Sequence, residues 1–416
     1  MNTLAAKPQT KKIMKTILLP LAIAILSLTI GCNSNKTKVE NTKESTYAAL
    51  LDRNEVLAQS AEWAVVKSKA AELMMKINAD SMDSKSRLQL AQLYMQEARI
   101  TGEHPYYYPA TLKILDDVIK REPGSFEALA FKSSVLLSLH HFEEAKEVGQ
   151  RALTINADNG FIYGVLCDAN VELGNYEEAV KMSDKMQVIR PGLESYSRAS
   201  YLREIYGQNE GAIEAMKLAF EAGLPGTEEA SWAGNTLTHL YINAGDYKNA
   251  NQVADMILTQ RPSYAFAIDA KGQVAMAEGN YDQAIKLFDQ AIAIMPEFSF
   301  YENMADAYKA KGDDAKYKEI YKNVITMLAE DAASGHYTDM ELALVYTKLN
   351  EMDMALEHAQ KEYNRRPSNI DVNATMAWVL YNKGDMTNAK KHMEVALRTG
   401  KKNKELIKKA EMIKKG

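Results

Sequence analysis

The stretch Gly279–Pro296, GNYDQAIKLFDQAIAIMP, carries the pattern on which the fold depends. A glycine, a polar residue and a tyrosine are followed by an alanine three residues later, and this group returns along the chain. Successive copies end 34, 33, 38, 34, 33, 38 and 34 residues apart. Their last residues are Ala145, Ala179, Ala212, Ala250, Ala284, Tyr317, Ala355 and Ala389. A period near 34 residues predicts an array of repeats, each made of two antiparallel helices.

Each mark inside the repeat has a physical role. When the last residue of the group is numbered 20, position 8 of every copy is small, which lets neighbouring helix backbones approach closely. The glycine can take the left-handed conformation that ends the first helix, and a proline such as Pro191 or Pro296 stops the second. The position-8 residues are Ser133, Cys167, Ser200, Thr238, Gly272, Ala305, Ala343 and Ala377.

The spacings contain a second pattern, because the series 34, 33, 38 occurs twice and spans 105 residues each time. Each spacing of 38 carries a longer connection, EAGLPGTEEASWAG (221–234) or LAEDAASGHYTDM (328–340). Two explanations remain open at this point. Either a block of three repeats was duplicated, which we favour, or the array bends in the same way at both places.

The period and its marks resemble those of the tetratricopeptide-repeat superfamily over residues 84–403. The resemblance implies an all-α fold, an α-α superhelix of about nine helix-turn-helix repeats with terminal capping helices. We expect N-terminal capping helices in residues 44–83 and a C-terminal capping helix in 404–416. The C-terminal helix could cover the last repeat with Leu406, Ala410 and Ile413, although a basic amphipathic helix can also bind a membrane surface or a partner.

The N-terminal region has the features of a secretory signal. Four lysines precede the apolar stretch 17–30, and Gly31-Cys32 follow it, as expected for a basic segment, an apolar core and a small residue at the cleavage site. The end LSLTIGC resembles the bacterial lipobox, although Thr29 stands where leucine is usual. We therefore predict a lipoprotein signal in 1–31, lipidation of Cys32 and a flexible tether in 32–43, with either Met1 or Met14 as the start. An ordinary cleaved signal is the alternative.

Charge and cysteine content restrict the function classes. The chain of 416 residues has a net charge of −5, and removal of residues 1–31, with four lysines and no acid, makes it −9. An acidic protein has no long-range attraction for nucleic acid, so no nucleic-acid partner is expected. The chain has 2 cysteines. If Cys32 carries lipid, Cys167 has no intramolecular partner, and we expect it to be a core residue.

The sequence gives no sign of catalytic chemistry. The motifs GxSxG, GxxxxGK[ST], GxGxxG and HExxH are absent from it, and one free cysteine cannot make a CxxC zinc pair. His140-His141 should lie at a helix C-terminus, where a partly charged imidazole suits the helix dipole; a metal role is the alternative. We expect no enzyme activity, no catalytic residues, no cofactor and no metal.

The candidate binding site is the concave face of the superhelix. At 100° per residue, positions 2, 5, 9 and 12 of the first helix form a stripe beside the packed one, free to face the groove. Aromatic and acidic side chains in this stripe suit a partner segment that is basic or neutral with apolar anchors. Some of the rings should instead fill gaps between repeats. The candidates are Phe161, Asp168, Tyr201, Trp232, Asn235, His239, Phe266, Asp269, Asp306, Tyr337, Trp378 and Tyr381.

Two further segments are candidate binding surfaces. The segment EARITGEHPYYYPA (97–110) looks like an insertion between two helices, whose tyrosines could line a ligand patch or pack on the nearest helix. The segment SYSRASYLREIYG (195–207) raises the same question. Both resemble segments of a group of bacterial tetratricopeptide lipoproteins, which implies the anchor and the fold but no catalytic residue. In tetratricopeptide domains that clamp acidic tails, groove positions 5 and 9 carry Lys and Asn. Here most of these positions carry acids, which argues against a clamp for a carboxylate tail.

The combined prediction is a lipid-anchored scaffold of the bacterial cell envelope. It would sit in the outer membrane, facing the periplasm or the cell surface, and bind protein partners through the groove, with the lipid anchor as its only membrane contact. The alternative is a surface lipoprotein that binds a ligand, a glycan or a peptide, since outer-membrane glycan-binding lipoproteins also carry tetratricopeptide helices.

Overall fold

A computed structural model describes residues 47–416, which form 21 α-helices and no strand. The predictions for the signal, for Cys32 and for the tether fall on residues outside this range. The helices are α1 Glu55–Ala58, α2 Ala61–Ala79, α3 Ser84–Thr101, α4 His104–Arg121, α5 Phe126–Ser138, α6 Phe142–Ile155, α7 Gly160–Glu172, α8 Tyr176–Ile189, α9 Leu193–Ile205, α10 Asn209–Ala222, α11 Glu228–Ala244, α12 Tyr247–Gln260, α13 Ala265–Ala277, α14 Tyr281–Ile294, α15 Phe298–Ala310, α16 Asp314–Ala333, α17 Asp339–Lys348, α18 Met352–Arg365, α19 Ile370–Asn382, α20 Met386–Ala396 and α21 Lys404–Lys415.

The helices α3 to α20 form nine consecutive packed pairs within the described range. The first helices of successive repeats also contact one another, as α5 does α7 and α11 does α13. Because the first helices lie closest together, they line the inner, concave side of the array. The predicted all-α superhelix is therefore confirmed.

The small residues at position 8 explain how the helices of a pair come close. All eight are buried, and at Gly272 a side chain has no room beside the Phe288 ring. Ser133 and Ser200 each donate a hydrogen bond to the backbone carbonyl at position 20 of the paired helix, at 2.5 and 2.7 Å. The hydroxyls are thus satisfied inside the core, as buried polar groups must be.

The predicted insertion at 97–110 is not a loop. Helix α3 ends at Gly102, which has φ of +76°, and α4 starts two residues later with Pro105 in its first turn. A left-handed glycine and an early proline suit such a tight turn. The extra residues lengthen both helices to 18 residues, and Tyr107 and Tyr108 are buried in α4. The tyrosines of this segment serve mainly as core.

The two longer connections are built differently. After α10, residues 223–227 form a connecting loop that leads into α11. In the second copy α16 itself extends to 20 residues and only residues 334–338 connect it to α17.

The superhelix closes on itself, and the contacting edges define a seam. Residues separated by 193 to 240 positions meet along the seam, most of them by 193 to 199: Tyr337 N–H donates to Leu139 O at 3.1 Å, and Ile370 N–H donates to the Tyr176 hydroxyl at 2.9 Å. At a period of 34, this separation corresponds to just under six repeats per turn. The described chain therefore makes about two superhelical turns. The tight turns between the two helices of a repeat in the first superhelical turn contact the connections between successive repeats in the second.

His140 and His141 belong to this seam, and the prediction of a partly charged imidazole was wrong for His140. Its Nδ1 lies 3.0 Å from Tyr337 O, and its ring meets the His336 ring edge-on at 4.3 Å. Burial lowers the pKa of His140 to about 3, and the nearby His336 adds to the effect. The ring is therefore neutral at physiological pH, because a charged imidazole would lose its hydration there.

The ends of the array are covered. Leu406 and Ile413 of α21 are buried against α19 and α20, with Ala410 packed beside them. At the other end, residues 47–54 are not helical, and Tyr47 packs into the cluster formed by α2, α3 and α4. No helix between residues 47 and 416 combines the length and the apolar character needed to cross a membrane.

Candidate functional site

The first helices of the two turns enclose a space that we call the lumen. The predicted stripe was expected to face the lumen, and its members differ in exposure. Trp232 and Tyr201 are 46% and 38% exposed and are free to contact a ligand. Phe161 and Phe266 are half-buried and meet Phe131 and Phe300 edge-on, at 6.2 and 5.2 Å between ring centroids. These two rings fill gaps between repeats, as expected for part of the stripe.

Tyr337 has a different place from the one predicted. It is 39% exposed, but its ring stacks on His141 at 4.1 Å, and the Arg365 guanidinium lies 4.3 Å from its centroid. Its backbone also bonds across the seam. Tyr337 therefore holds the two turns together, and the sequence could not show this because its partners across the seam, His141 and Leu139, are nearly 200 residues away.

Trp378 and Tyr381 form a stacked pair, with centroids 5.2 Å apart and planes at 13°. Lys409 of the capping helix reaches the Trp378 ring at 5.4 Å. The end of the predicted stripe is therefore joined to α21.

The predicted acids are engaged by neighbouring repeats. Asp168 receives two hydrogen bonds from Arg198, at 2.9 and 2.6 Å. Asp306 accepts from the Tyr321 hydroxyl and from Lys348, both at 3.0 Å. The bonds from Arg198 and Lys348 link one first helix to the next, whereas Tyr321 reaches Asp306 from the second helix of the same repeat.

The middle of the stripe is buried. Asp269 is 3% exposed and accepts hydrogen bonds from Asn303 and Gln273, yet burial raises its pKa to about 6. Asn235 is 8% exposed, and its Oδ1 has no hydrogen-bond partner. Burial lowers the pKa of His239. Together these residues form a wall with spare acceptor capacity.

Several lumen carboxylates were missed by the sequence analysis. Glu172 and Glu341 lie beside a cavity of about 450 Å³ between the two turns, which Asp168, Arg366 and Asp371 also line. Arg366 reaches Glu172 at 2.5 Å, and Lys401 reaches Asp371 at 2.9 Å. Glu172 and Glu341 stand outside the stripe of positions 2, 5, 9 and 12, so the stripe as drawn was too narrow.

Raised carboxyl pKa values are a common property of the lumen. Burial is the main cause in each case, because it removes water from the charged form. It raises the pKa of Glu297 to about 7, with nearby Asp331 adding to the effect. The same cause raises the pKa of Asp168, Glu172, Glu204, Glu228, Glu302 and Glu341.

Glu297→Gln should stabilise the protein at alkaline pH and leave it unchanged in acid. The folded pKa lies above the ordinary value of 4.5, so folding binds a proton between these values and this contribution to stability is lost as the pH rises through 7. Glutamine mimics the protonated form. We expect a free energy of unfolding about 2 kcal/mol higher than wild type at pH 8 and equal to it at pH 4, below the ordinary pKa of 4.5. Urea titrations at both pH values measure this; an equal gain at both would contradict it.

The remaining candidates for chemistry are structural. Cys167 is buried, and burial raises the pKa of its thiol, which makes it unreactive. Among the described residues, no group of three or more His, Cys, Asp or Glu side chains could hold a metal ion.

Comparisons with known proteins agree with the geometry. A model of the tetratricopeptide-repeat family matches residues 265–298, which contain α13 and α14. The chain is similar to a chain of the APC/C hetero-tetramer Cut9-Hcn1, with a TM-score of 0.49, 13% identity and coverage of 86% of this chain and 60% of that one. It is also similar to a monomeric mutant of IFIT1 with Gppp-AAAA, with a TM-score of 0.50, 13% identity and coverage of 76% and 71%.

A thermophilic TPR protein of Thermus thermophilus aligns with 47% of this chain and 98% of its own, at 21% identity and a TM-score of 0.40. At 13% identity and a TM-score of 0.50, the similarity to the IFIT1 chain shows the fold alone. The chain spans about 60% of the length of the Cut9-Hcn1 chain that it matches. No curated protein sequence matches it.

Proposed function

We propose that this tetratricopeptide-repeat protein is a lipid-anchored scaffold of the bacterial cell envelope that binds protein partners in its lumen. The observation that carries the proposal is the uncovered pair Tyr201 and Trp232, two large rings on neighbouring first helices, left 38% and 46% exposed inside the concave face. Large aromatic side chains on a concave surface are typical anchors for a protein partner. The anchor rests on the sequence 17–32 alone.

The polar surroundings of these rings suit a binding surface. Asn235 and His239 follow Trp232 on α11 at helical spacing, and both are neutral. Glu204 and Arg198 flank Tyr201 on α9. A patch that combines exposed rings with neighbouring hydrogen-bonding groups provides both contact area and orientation.

Crosslinking in the native envelope tests the proposal. We expect Tyr201→Ala/Trp232→Ala to abolish the capture of a partner that wild type captures, because both anchors are lost. The matched control is Val188→Ala/Leu218→Ala, which removes exposed apolar side chains, 83% and 52% exposed, from the second helices. Purified wild type should then bind the purified partner, and the double variant should not. Equal capture by all three proteins would move binding away from the lumen.

The same cells test the anchor. Cys32→Ser should transfer the protein from the membrane fraction to the soluble fraction, because lipidation at this cysteine is the proposed attachment. A variant that stays in the membrane would contradict the anchor without affecting the binding proposal.

Glycan binding is the second candidate, and the exposed Trp232 ring favours it because sugars stack on such rings. A glycan array probed with wild type and with Trp232→Ala separates the two functions. Loss of a glycan signal in the variant, with no protein captured by wild type, would replace the scaffold proposal.

A further inference from the structure

The lumen contains an excess of negative charge on one side. Asp269, Glu302, Asp306 and Glu341 lie on α13, α15 and α17, with Glu297 at the start of α15. We call these five residues the acidic wall. Within the described chain, Lys348 alone among the lysines and arginines has a side-chain nitrogen within 4.0 Å of these carboxylates. It lies 3.0 Å from Asp306 and 3.9 Å from Glu302. The wall therefore keeps several carboxylates without an ion-pair partner.

Two buried acceptors at the ends of the wall lack a donor. Glu341 Oε2 is one, and Asn235 Oδ1 on the adjacent α11 is the other. A buried acceptor without a partner costs free energy that a ligand donor can return. These two oxygens are acceptors, so they favour a ligand rich in N–H groups, in agreement with the charge of the wall. A third buried atom without a partner, His336 Nε2, lies near Glu297 and Glu341 and accepts as well when His336 Nδ1 donates to Asp331.

The seam restricts the shape of such a ligand. Arg366 bonds Glu172 across it, and Asn369 Nδ2 donates to Glu172 O at 2.9 Å. Arg398 donates to Gly174 O at 2.8 Å, and Asn209 Nδ2 donates to Lys402 O at 3.2 Å. Because these bonds close the side of the lumen where the two turns overlap, a folded domain cannot enter there. An extended chain can enter along the axis.

We infer that the occupant of the lumen is an extended protein segment rich in lysine or arginine, which places its cations on the acidic wall and an apolar side chain on Trp232. This inference rests on the proposed function and names the chemistry of the partner. Lysine and arginine supply the donors that the wall lacks, and opposite charge selects them over acidic segments. The raised carboxyl pKa values agree with this inference, since a nearby cation stabilises the charged form of a buried carboxylate.

Fluorescence anisotropy with three labelled peptides of equal length tests the inference on the detergent-solubilised full-length protein. The peptides alternate serine with lysine, glutamine or glutamate, and each carries one tryptophan. We expect the lysine peptide to bind at least about tenfold more tightly than the glutamine peptide, with an affinity that falls as salt rises, and no binding of the glutamate peptide. Equal affinity for the lysine and glutamine peptides would overturn the inference.

A matched pair of variants locates the binding. Glu297→Gln/Glu302→Gln/Glu341→Gln should lower the affinity for the lysine peptide at least about tenfold. Glu147→Gln/Glu330→Gln/Glu394→Gln removes the same number of carboxyl groups from exposed positions of second helices and should change the affinity less than about twofold. Equal losses in the two variants would show non-specific attraction and overturn the inference. Urea titration of both variants checks that they are folded. If the triple variant of the acidic wall is not folded, the single variant Glu297→Gln replaces it in the binding measurement.

Proton release gives an independent readout. At pH 7 the Glu297 carboxyl is about half protonated, because its pKa is about 7. A bound cation lowers that pKa, so binding of the lysine peptide should release about half a proton per complex. Calorimetry in phosphate and in Tris at pH 7 measures the release as a difference in heat. Binding without release would contradict contact with the wall.

The outcomes separate this inference from the proposed function. If the envelope partner is captured through Tyr201 and Trp232 but contains no basic segment, the inference fails and the scaffold stands. If nothing is captured and the lysine peptide still binds through the wall, the scaffold proposal fails and the lumen binds a basic ligand of another source.

Discussion

Arg366→Ala is expected to lower the free energy of unfolding by about 3 kcal/mol, because it leaves Glu172 without its partner across the seam and removes one of the two arginines from the buried Glu362. Arg366 is 5% exposed and bonds two acids, Glu362 at the end of its own helix and Glu172 across the seam. Its guanidinium also lies 4.6 Å from the Phe142 ring centroid. Arg365 still contacts Glu362 in the variant, so the loss should stay below that of a fully unpaired ion.

A double-mutant cycle makes this a test of the seam. Arg366 and Glu172 are 194 residues apart, and they interact only if the second turn contacts the first. We expect a coupling energy of about 1–3 kcal/mol between Arg366→Ala and Glu172→Ala in urea titrations. Lys311 and Asp282, an exposed pair on neighbouring repeats, should couple by less than about 0.5 kcal/mol. Additive effects at Arg366 and Glu172 would contradict a closed superhelix.

The seam also changes how the array should unfold. In an open solenoid each repeat contacts only its neighbours, so unfolding can start at an end and spread. Here the turn at His140 is bonded to the connection at Tyr337, and the turn at Gly174 lies against Ser368 and accepts from Arg398. An end repeat therefore cannot unfold without breaking contacts to the middle of the chain.

The fold could be predicted from local features of the sequence. The small residue at position 8, the glycine and the proline recur at a fixed spacing because each repeat solves the same packing problem. The seam could not be predicted in this way. It depends on small rotations that accumulate over six repeats, and no short pattern joins Glu172 to Arg366.

The candidate site was predictable only in part. Helical geometry placed Tyr201, Trp232 and Asp269 on the concave side, but it could not tell an exposed ring from one that a neighbouring repeat covers, as Phe300 covers Phe266. Glu341 has the same helical phase as packed residues in other repeats. Its position beside the cavity follows from the approach of the two turns.

Positions 8 and 24 of the repeat share one space, and Gly272 is the extreme case. Phe288, at position 24 of the same repeat, is fully buried against it. In the first regular repeat the roles are reversed, because Gly149 holds position 24 and a carbon added there would lie 3.0 Å from the Ser133 hydroxyl and 3.0 Å from Leu166 Cδ2. Since a repeat has one volume to fill between its two helices, a larger residue at one position requires a smaller one at the other.

Gly272→Leu is therefore expected to destabilise the protein by about 3 kcal/mol, measured by urea denaturation. Even the first side-chain carbon would lie 2.7 Å from Phe288 Cδ1, so the ring must move and the two helices must separate. Gly272→Ala should cost less, because alanine is smaller and favours the helix by about 1 kcal/mol.

The exchange of volumes between the two positions supplies the decisive control. Phe288→Ala alone should cost about 3–5 kcal/mol through the cavity that it leaves. Gly272→Leu/Phe288→Ala restores much of the total volume and should recover more than half of the stability lost in Gly272→Leu. Gly124→Ala, at a position where an added carbon meets no atom within 4 Å, should be close to neutral. If the double variant is instead as unstable as the sum of the single ones, the two positions do not share one space, and the close approach of α13 and α14 has another cause.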